Sequence, residues 1–339
     1  MATRADVARL AGVSPSTVSY VFSGDRPIKE ETRKKVLEAA RELDYVPNAF
    51  AANLAARKMR TIGIVLRIES SGMDRTTADY VTGMLKRSTE RGLMLLLPAG
   101  VSENEETFRR FLRSRLLDGV LYMEVAQDDW REDILLAEKV PAVALGFSGR
   151  TDGVPFVETD FAALGRIVVD EFVKRGHTHA LFLGRESHSR AHLDRTIGES
   201  RNAMQVRARE LRVRVDEMIL PEYFLAAREV LPRLRDREGA PTVLVAENMP
   251  VAEGVIALAA AEGIELGRDF SMVTLGNQIG YTAETAFELS EVATDRIRMG
   301  EMCVDMLAQV YSGMDSGAKP ESVMFEPEFV DRGSLVQRA

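Results

Sequence analysis

A single cysteine, Cys303, in 339 residues excludes an intrachain disulfide and a structural cysteine-rich zinc site, and it agrees with a reducing compartment. Cys303 itself reads as a core residue on a C-terminal helix. Nowhere does the chain carry the ~20 consecutive apolar residues that a membrane span needs. The opening Met1-Ala2-Thr3-Arg4 runs straight into a helical pattern, with no apolar stretch and no small-residue cleavage site, so a cytoplasmic protein is expected. Catalytic signatures are missing too. There is no Gly-x-Gly-x-x-Gly after a strand, no phosphate-loop lysine, no nucleophile elbow and no His-Glu-x-x-His metal motif. Ser187-His188-Ser189 places a base beside hydroxyls, but adjacent residues seldom share the orientation that proton transfer requires. His177 and His179 fit a helix end or turn before a strand. No enzymatic activity, cofactor or metal is therefore expected.

What is present is a soluble composition, 45% apolar and 28% charged, in a chain long enough for two or three domains. The net charge of −8 is unevenly spread: residues 1–60 carry eleven Lys/Arg against seven Asp/Glu, about +4, which leaves the remainder at about −12. A basic head on an acidic body concentrates attraction to phosphate at one end.

The head has helix-turn-helix grammar. Val7, Ala8 and Ala11 share a face of a short helix, Gly12 permits a sharp turn, and Ser14 with Pro15 supplies the cap and first residue of a second helix. On that helix, Val18 and Val21 face inward while Pro15, Ser16 and Tyr20 are exposed. A third helix, Lys29 to Leu43, is expected to bury Val36, Leu37, Ala40 and Leu43. Thr3, Ser14, Thr17, Ser19, Ser23 and Tyr45 lie near helix starts and turns, where hydroxyls can donate to phosphate oxygens. Residues 48–57, Asn48 to Arg57, are alanine-rich with an N-cap, yet too short for a helix that stands alone in water.

Asp6-Val7-Ala8, Ala11-Gly12-Val13-Ser14, Thr17-Val18-Ser19 and Tyr45-Val46-Pro47-Asn48, in this order and spacing, resemble the head of the lactose-repressor (LacI/GalR) family. The resemblance extends over essentially the whole chain. It implies that Pro15, Ser16, Tyr20 and Arg26 reach base edges. Arg26 has the fork that fits guanine O6 and N7, while Ser16 discriminates weakly. It also implies a hinge helix at Asn48 to Arg57 that wedges Leu54 into a central minor-groove step.

From Thr61 the pattern changes to short apolar β-rich runs alternating with amphipathic helices, a βαβ rhythm that predicts parallel sheets covered by helices. The runs are 61–66, 93–97, 119–123, 142–145, 180–183, 242–246 and 271–275. A break is expected near Thr159-Asp160. The fold class is thus α/β: an all-α head and hinge, then a body that the resemblance makes periplasmic-binding-protein-like, with two Rossmann-like subdomains. The expected division is a head at 1–47, a hinge at 48–59 and a body at 60–339. Within the body, one subdomain takes 60–159 and 292–319 and the other 160–290 and 321–335. Further crossings are expected at Glu291 to Thr294 and near Pro320. The helix Arg296 to Tyr311 returns to the first subdomain, and Val323 to Arg332 finishes in the second.

Ligands of such bodies bind between the subdomains, at the strand C-termini. Arg195, in Arg195-Thr196-Ile197-Gly198, agrees with the family's arginine, while Arg67, Asp74, Thr76, Phe147 and Asn248 are the other effector-binding candidates. Family acids and amides are replaced at Gly276 in Leu275-Gly276-Asn277, at Glu247-Asn248 and at Asp160-Phe161. Loss of these groups disfavours a plain monosaccharide, and Arg67, Arg190 and Arg195 suit an acidic or phosphorylated metabolite. The expectation is a homodimeric, cytoplasmic bacterial regulator that represses from palindromic double-stranded operator DNA and responds to a small molecule. Helix Arg296 to Tyr311 and the segment Ala78 to Arg91 are the expected dimer face. Two alternatives are a regulator whose cleft senses nothing and a solute-binding protein.

Overall fold

A computed structural model describes residues 2–23, 26–45, 59–66, 73–186, 191–236, 239–314, 316–317 and 319–338. Contacts divide the chain into two units, Met1–Arg60 and Thr61–Ala339.

In the first unit, α1 (Arg4–Ala11) starts at Thr3. The Thr3 hydroxyl accepts from the Asp6 N–H at 3.3 Å, and the Asp6 carboxylate accepts from the Thr3 N–H at 3.0 Å. This reciprocal cap satisfies two backbone donors that the helix cannot pair internally. The helix stops at Gly12, whose φ of 63° is left-handed and suits glycine. Ser14 then opens α2 (Pro15–Ser23), its Oγ accepting from the Thr17 N–H at 3.1 Å. With α3 (Glu30–Glu42), these helices close on Val7, Ala8, Val18, Val21, Val36, Ala39 and Ala40. Leu37 was expected in that core and is instead 37% exposed. Each residue turns about 100° round a helix, so the stripe through Val36, Ala39, Ala40 and Leu43 leaves Leu37 beside it.

The second unit holds two six-stranded sheets. The first contains β1 (Thr61–Val65), β2 (Met94–Leu96), β3 (Gly119–Tyr122), β4 (Ala142–Leu145) and β5 (Phe156–Thr159). Alternating with them are α4 (Arg75–Glu90), α5 (Glu105–Arg113) and α6 (Trp130–Ala137). The second sheet follows α7 (Phe161–Lys174), with β6 (His179–Arg185), α8 (Ala191–Glu210) and β7 (Arg214–Leu220). Then come α9 (Leu231–Arg235), β8 (Val243–Ala246), α10 (Met249–Ala261), β9 (Ser271–Gln278) and β10 (Ser290–Thr294). The chain returns through α11 (Arg296–Gly313) and ends in β11 (Val323–Phe325) and β12 (Glu328–Val330). Strand orders are β11-β5-β4-β3-β1-β2 and β12-β10-β9-β8-β6-β7, parallel throughout except for β10 with β12. β1, β3, β4 and β8 are buried along their full length, which is why they read as unbroken apolar runs.

Two expected boundaries need correction. Val323–Phe325 pairs with β5 in the first sheet, so the last crossing falls between Phe325 and Glu328 rather than near Pro320. Residues 292–294 belong to β10 in the second sheet, so the chain leaves that sheet only at Asp295. Backbone pairing decides both points: the Asp160 N–H donates to the Phe325 carbonyl at 2.9 Å, fastening β11 where the first crossing begins.

Close helix packing clamps each half. Gly83 on α4 and Gly300 on α11 let backbones meet: a Cβ on Gly300 would strike the Tyr80 carbonyl, and one on Gly83 the Ile297 carbonyl. In the other half, Gly165 on α7 lies similarly against the Ser200 carbonyl of α8. Among the described residues, no helix is long and apolar enough to cross a membrane.

His177 fastens the C-terminal segment. Its ring nitrogens face Thr242 Oγ1 at 2.9 Å and the Val336 carbonyl at 3.0 Å, and burial pushes its pKa below the ordinary value. The unfolded chain therefore binds a proton that the folded chain refuses. Stability should be complete above the ordinary histidine value of about 6.5 and fall as pH drops below it. Urea midpoints for wild type and His177→Gln between pH 7.5 and 5 test this; parallel curves would refute it.

Candidate functional site

On the head, the start of α2 is the exposed feature. Pro15 and Ser16 face solvent, while Val18 and Val21 lie beneath them in the core. The Arg26 guanidinium lies 5.0 Å over the Tyr20 ring centroid, which brings two of the expected base readers together. Hydroxyls expected at phosphates already have structural work. Ser14 Oγ and Thr17 Oγ1 lie 2.9 Å apart, and Ser19 Oγ donates to the Pro15 carbonyl at 3.2 Å and accepts from Arg4 at 2.9 Å. Thr3 serves the α1 cap, and Tyr45 meets Phe22 edge-on at 6.1 Å. The Ser23 side chain and Leu54 lie outside the described residues, as does the whole 48–57 segment.

In the body, a cleft of about 180 Å³ opens where the two sheets present their strand C-termini. The first two crossings line it through Thr159, Thr294 and Arg296. Asp74, Thr76 and Arg195 stand in its wall. Asp74 also caps α4 by accepting from the Thr77 N–H at 2.8 Å. Arg67 and Arg190 fall outside the described residues.

Two candidates do not line the cleft. Phe147 stacks on Phe156 with ring centroids 4.7 Å apart, and what it offers the site is its backbone N–H. Asn248 is fully buried: it caps α10, and its Nδ2 donates to the Leu220 carbonyl at 2.9 Å. An amide at that place satisfies backbone ends rather than a ligand, and its neighbour Glu247 is the one that faces the cleft.

The principal residue missed is Glu158. It lies buried at the end of β5 and accepts three hydrogen bonds: from Arg195 Nη2 at 2.8 Å and the Phe147 N–H at 3.0 Å on Oε2, and from the Thr159 N–H at 3.1 Å on Oε1. Burial nevertheless holds its carboxyl above the ordinary range, outweighing Arg195 and both amides. A charge inside Phe156-Val157-Glu158-Thr159, a doubly buried strand, was the available signal. Arg296 was also missed as a site residue. It reaches Asp79 at 3.3 Å and the Gly276 carbonyl, linking α11 to α4 and β9.

The cleft arginines are largely neutralised. Arg185, Arg195 and Arg296 line it beside Asp74, Glu124, Glu158 and Glu247. Three buried donors on lining residues, Arg195 Nε, Ser200 Oγ and Asn277 Nδ2, have no hydrogen-bond partner among the described residues. An acceptor atom on a ligand placed against these three donors would satisfy them.

Comparisons with known proteins bear on both regions. Residues 3–48 match the lacI family of bacterial regulatory proteins, and residues 169–335 match a periplasmic binding protein-like domain. The chain is 27% identical over 344 residues to the HTH-type transcriptional repressor PurR of Vibrio atlanticus, covering 99% of each chain. It is 29% identical over 197 residues to catabolite control protein A of Staphylococcus xylosus, covering 57% of this chain and 58% of that one. Among solved structures, the lac repressor dimer bound to operator and the anti-inducer ONPF superposes with a TM-score of 0.77 at 20% identity, covering 99% of both chains. A LacI-family regulator of Silicibacter pomeroyi gives 0.71 at 20% identity over 99% of this chain and 100% of that one. At these identities the structural likeness carries the fold.

Proposed function

Because this chain belongs to the lacI family of bacterial regulatory proteins, which are transcriptional regulators and not enzymes, we propose that it is a homodimeric repressor of palindromic operators, working in the bacterial cytoplasm. The observation that carries the proposal is the head: a three-helix unit with a capped second helix whose first residues face solvent. In this reading Pro15, Ser16, Tyr20 and Arg26 read bases. Thr3, Ser14, Thr17, Ser19, Ser23 and Tyr45 hold phosphates, and Leu54 wedges the minor groove. Residues 1–47 form the head, 48–59 the hinge and 60–339 the body.

Exposed apolar side chains on the body, among them Leu85, Met94, Ile219 and Phe224, are available for self-association. Of the two elements expected at a dimer face, α11 is mostly spent on α4, which leaves α4 with Leu85 as the contributor. A twofold pair of heads turns a weak single contact into a specific one.

The cleft then takes an effector, read here as an acidic or phosphorylated metabolite, whose acceptor atoms the unpartnered donors would meet. A ligand that prefers one closure of the two halves biases the pairing of the hinges and so couples the two sites.

Selection of duplexes from a random library by the full-length protein tests the proposal. The expected result is an enriched palindrome whose affinity falls steeply with salt. Enrichment of asymmetric single half-sites would overturn the dimer, and the absence of enrichment across added acidic metabolites would overturn the regulator.

A further inference from the structure

Glu158 and Arg195 come from opposite halves of the body, one at the end of β5 and the other on α8, and they meet in the cleft. We propose that Glu158 holds the place of a ligand carboxylate: a small monocarboxylate with an apolar body binds by taking Arg195 from Glu158, which takes up one proton from solvent. This rests on reading the cleft as an acidic-effector site, and it adds the class of ligand and the exchange that admits it.

The pair is built to be exchanged. Arg195 touches Glu158 through one nitrogen and one oxygen, and its other terminal nitrogen reaches the half-exposed Glu199 at 3.3 Å. That is not the two-bond fork of a permanent arginine-carboxylate pair. When Arg195 leaves, each Glu158 oxygen keeps one backbone donor, Phe147 on Oε2 and Thr159 on Oε1. The acid therefore stays hydrogen-bonded without its cation. Burial already sets the carboxyl above the usual range beside Arg195, and removing the cation drives it higher.

Tyr80 of α4 lies near Glu158, Glu199 shares Arg195, and Asp74, Glu124, Arg185, Glu247 and Arg296 line the same cleft, Arg296 being committed to Asp79. Exchange leaves the charge of the cleft unchanged, since one carboxylate replaces another that has become neutral. Among the polar groups of the wall stand the apolar side chains of Leu145, Phe161, Leu164, Ile197 and Leu275. They give a hydrocarbon body surface to pack against.

The test is calorimetry on the full-length protein with benzoate, benzamide and benzamidine, which share a shape and differ in charge. Buffers of different ionisation heat report protons. Benzoate should bind with uptake of one proton, and its affinity should rise as pH falls, approaching tenfold per pH unit where Glu158 is ionised without ligand and neutral with it. Glu158→Gln should bind benzoate with neither uptake nor that pH dependence, its fold being checked by circular dichroism. The wild-type measurement stands without the variant. Benzoate binding without proton uptake overturns the exchange and leaves the acidic-effector reading intact. Preference for benzamidine, or no benzoate binding at millimolar concentration, overturns both. Neither result bears on operator recognition, which the DNA selection decides separately.

Discussion

Replacing Asp129 with alanine is expected to cost the body about 3–5 kcal/mol, because it strands a buried guanidinium. Arg131 has no exposed surface, and its charge is matched by Asp129 through Nε at 2.9 Å and Nη2 at 2.7 Å. Nη2 also donates to the Met123 and Glu124 carbonyls, each at 2.9 Å. An arginine cannot escape by losing its proton, so the charge remains among Tyr122, Ile134 and Leu135 after its partner is gone. The same carboxylate accepts from the Ala126 and Arg131 N–H groups, both at 3.0 Å, so the start of α6 would fray as well. Met123 and Glu124 line the cleft, and Glu124 stands at a φ of 54°, so their fixation by Arg131 shapes one wall of the site. Urea unfolding should show a large fall in midpoint. Asp133→Ala, whose carboxylate is 66% exposed on the same helix, should shift it by no more than about 0.5 kcal/mol. Equal midpoints for the two variants would show that the buried pair contributes no more than a surface one.

The second large effect is expected from Gly300→Ala, at about 1–3 kcal/mol. Its Cβ would collide with the Tyr80 carbonyl, a backbone atom that no rotamer change can move aside, so α4 and α11 must separate. Those helices carry Tyr80 and Arg296 into the cleft, so ligand response should weaken together with thermal stability. Gly263→Ala makes a useful contrast, since a Cβ there meets nothing and only the positive φ of 78° is strained. A Gly300→Ala protein that melts with wild type would refute the close-approach argument.

The parts of this molecule that could be read from sequence are those where burial is simple. Strands hidden on both faces, such as Gly119–Tyr122 and Val243–Ala246, announce themselves as apolar runs. β7 went unread because Arg214–Leu220 lies at a sheet edge and mixes charge with apolar residues, a pattern shared with a polar helix face. Val323–Phe325 reads as a strand but not as a member of the first sheet, since partner choice depends on backbone pairing far along the chain. Of the residues that line the cleft, Arg195 was suggested by its Arg-x-x-Gly motif and Asp74 by its place in the loop after the first strand. Asn248 was misread because an amide that caps a helix and one that binds a ligand look alike in a sequence. Glu158 is hard to read from sequence because one acid in a short strand looks the same whether it faces solvent or is buried against an arginine far along the chain.

The threefold passage of the chain between the halves has a consequence for how the protein is made. The first sheet acquires its edge strand β11 only after residue 323, and α4 receives its partner α11 only after residue 296. A chain emerging from the ribosome must therefore carry an incomplete first half, with Met84 and the Gly83 face of α4 uncovered, until nearly all of it has been synthesised. Such late, long-range closure folds slowly and exposes apolar surface meanwhile. The nascent body should lean on chaperones, whereas the head, built from contacts within its first 45 residues, can fold as soon as it clears the exit tunnel.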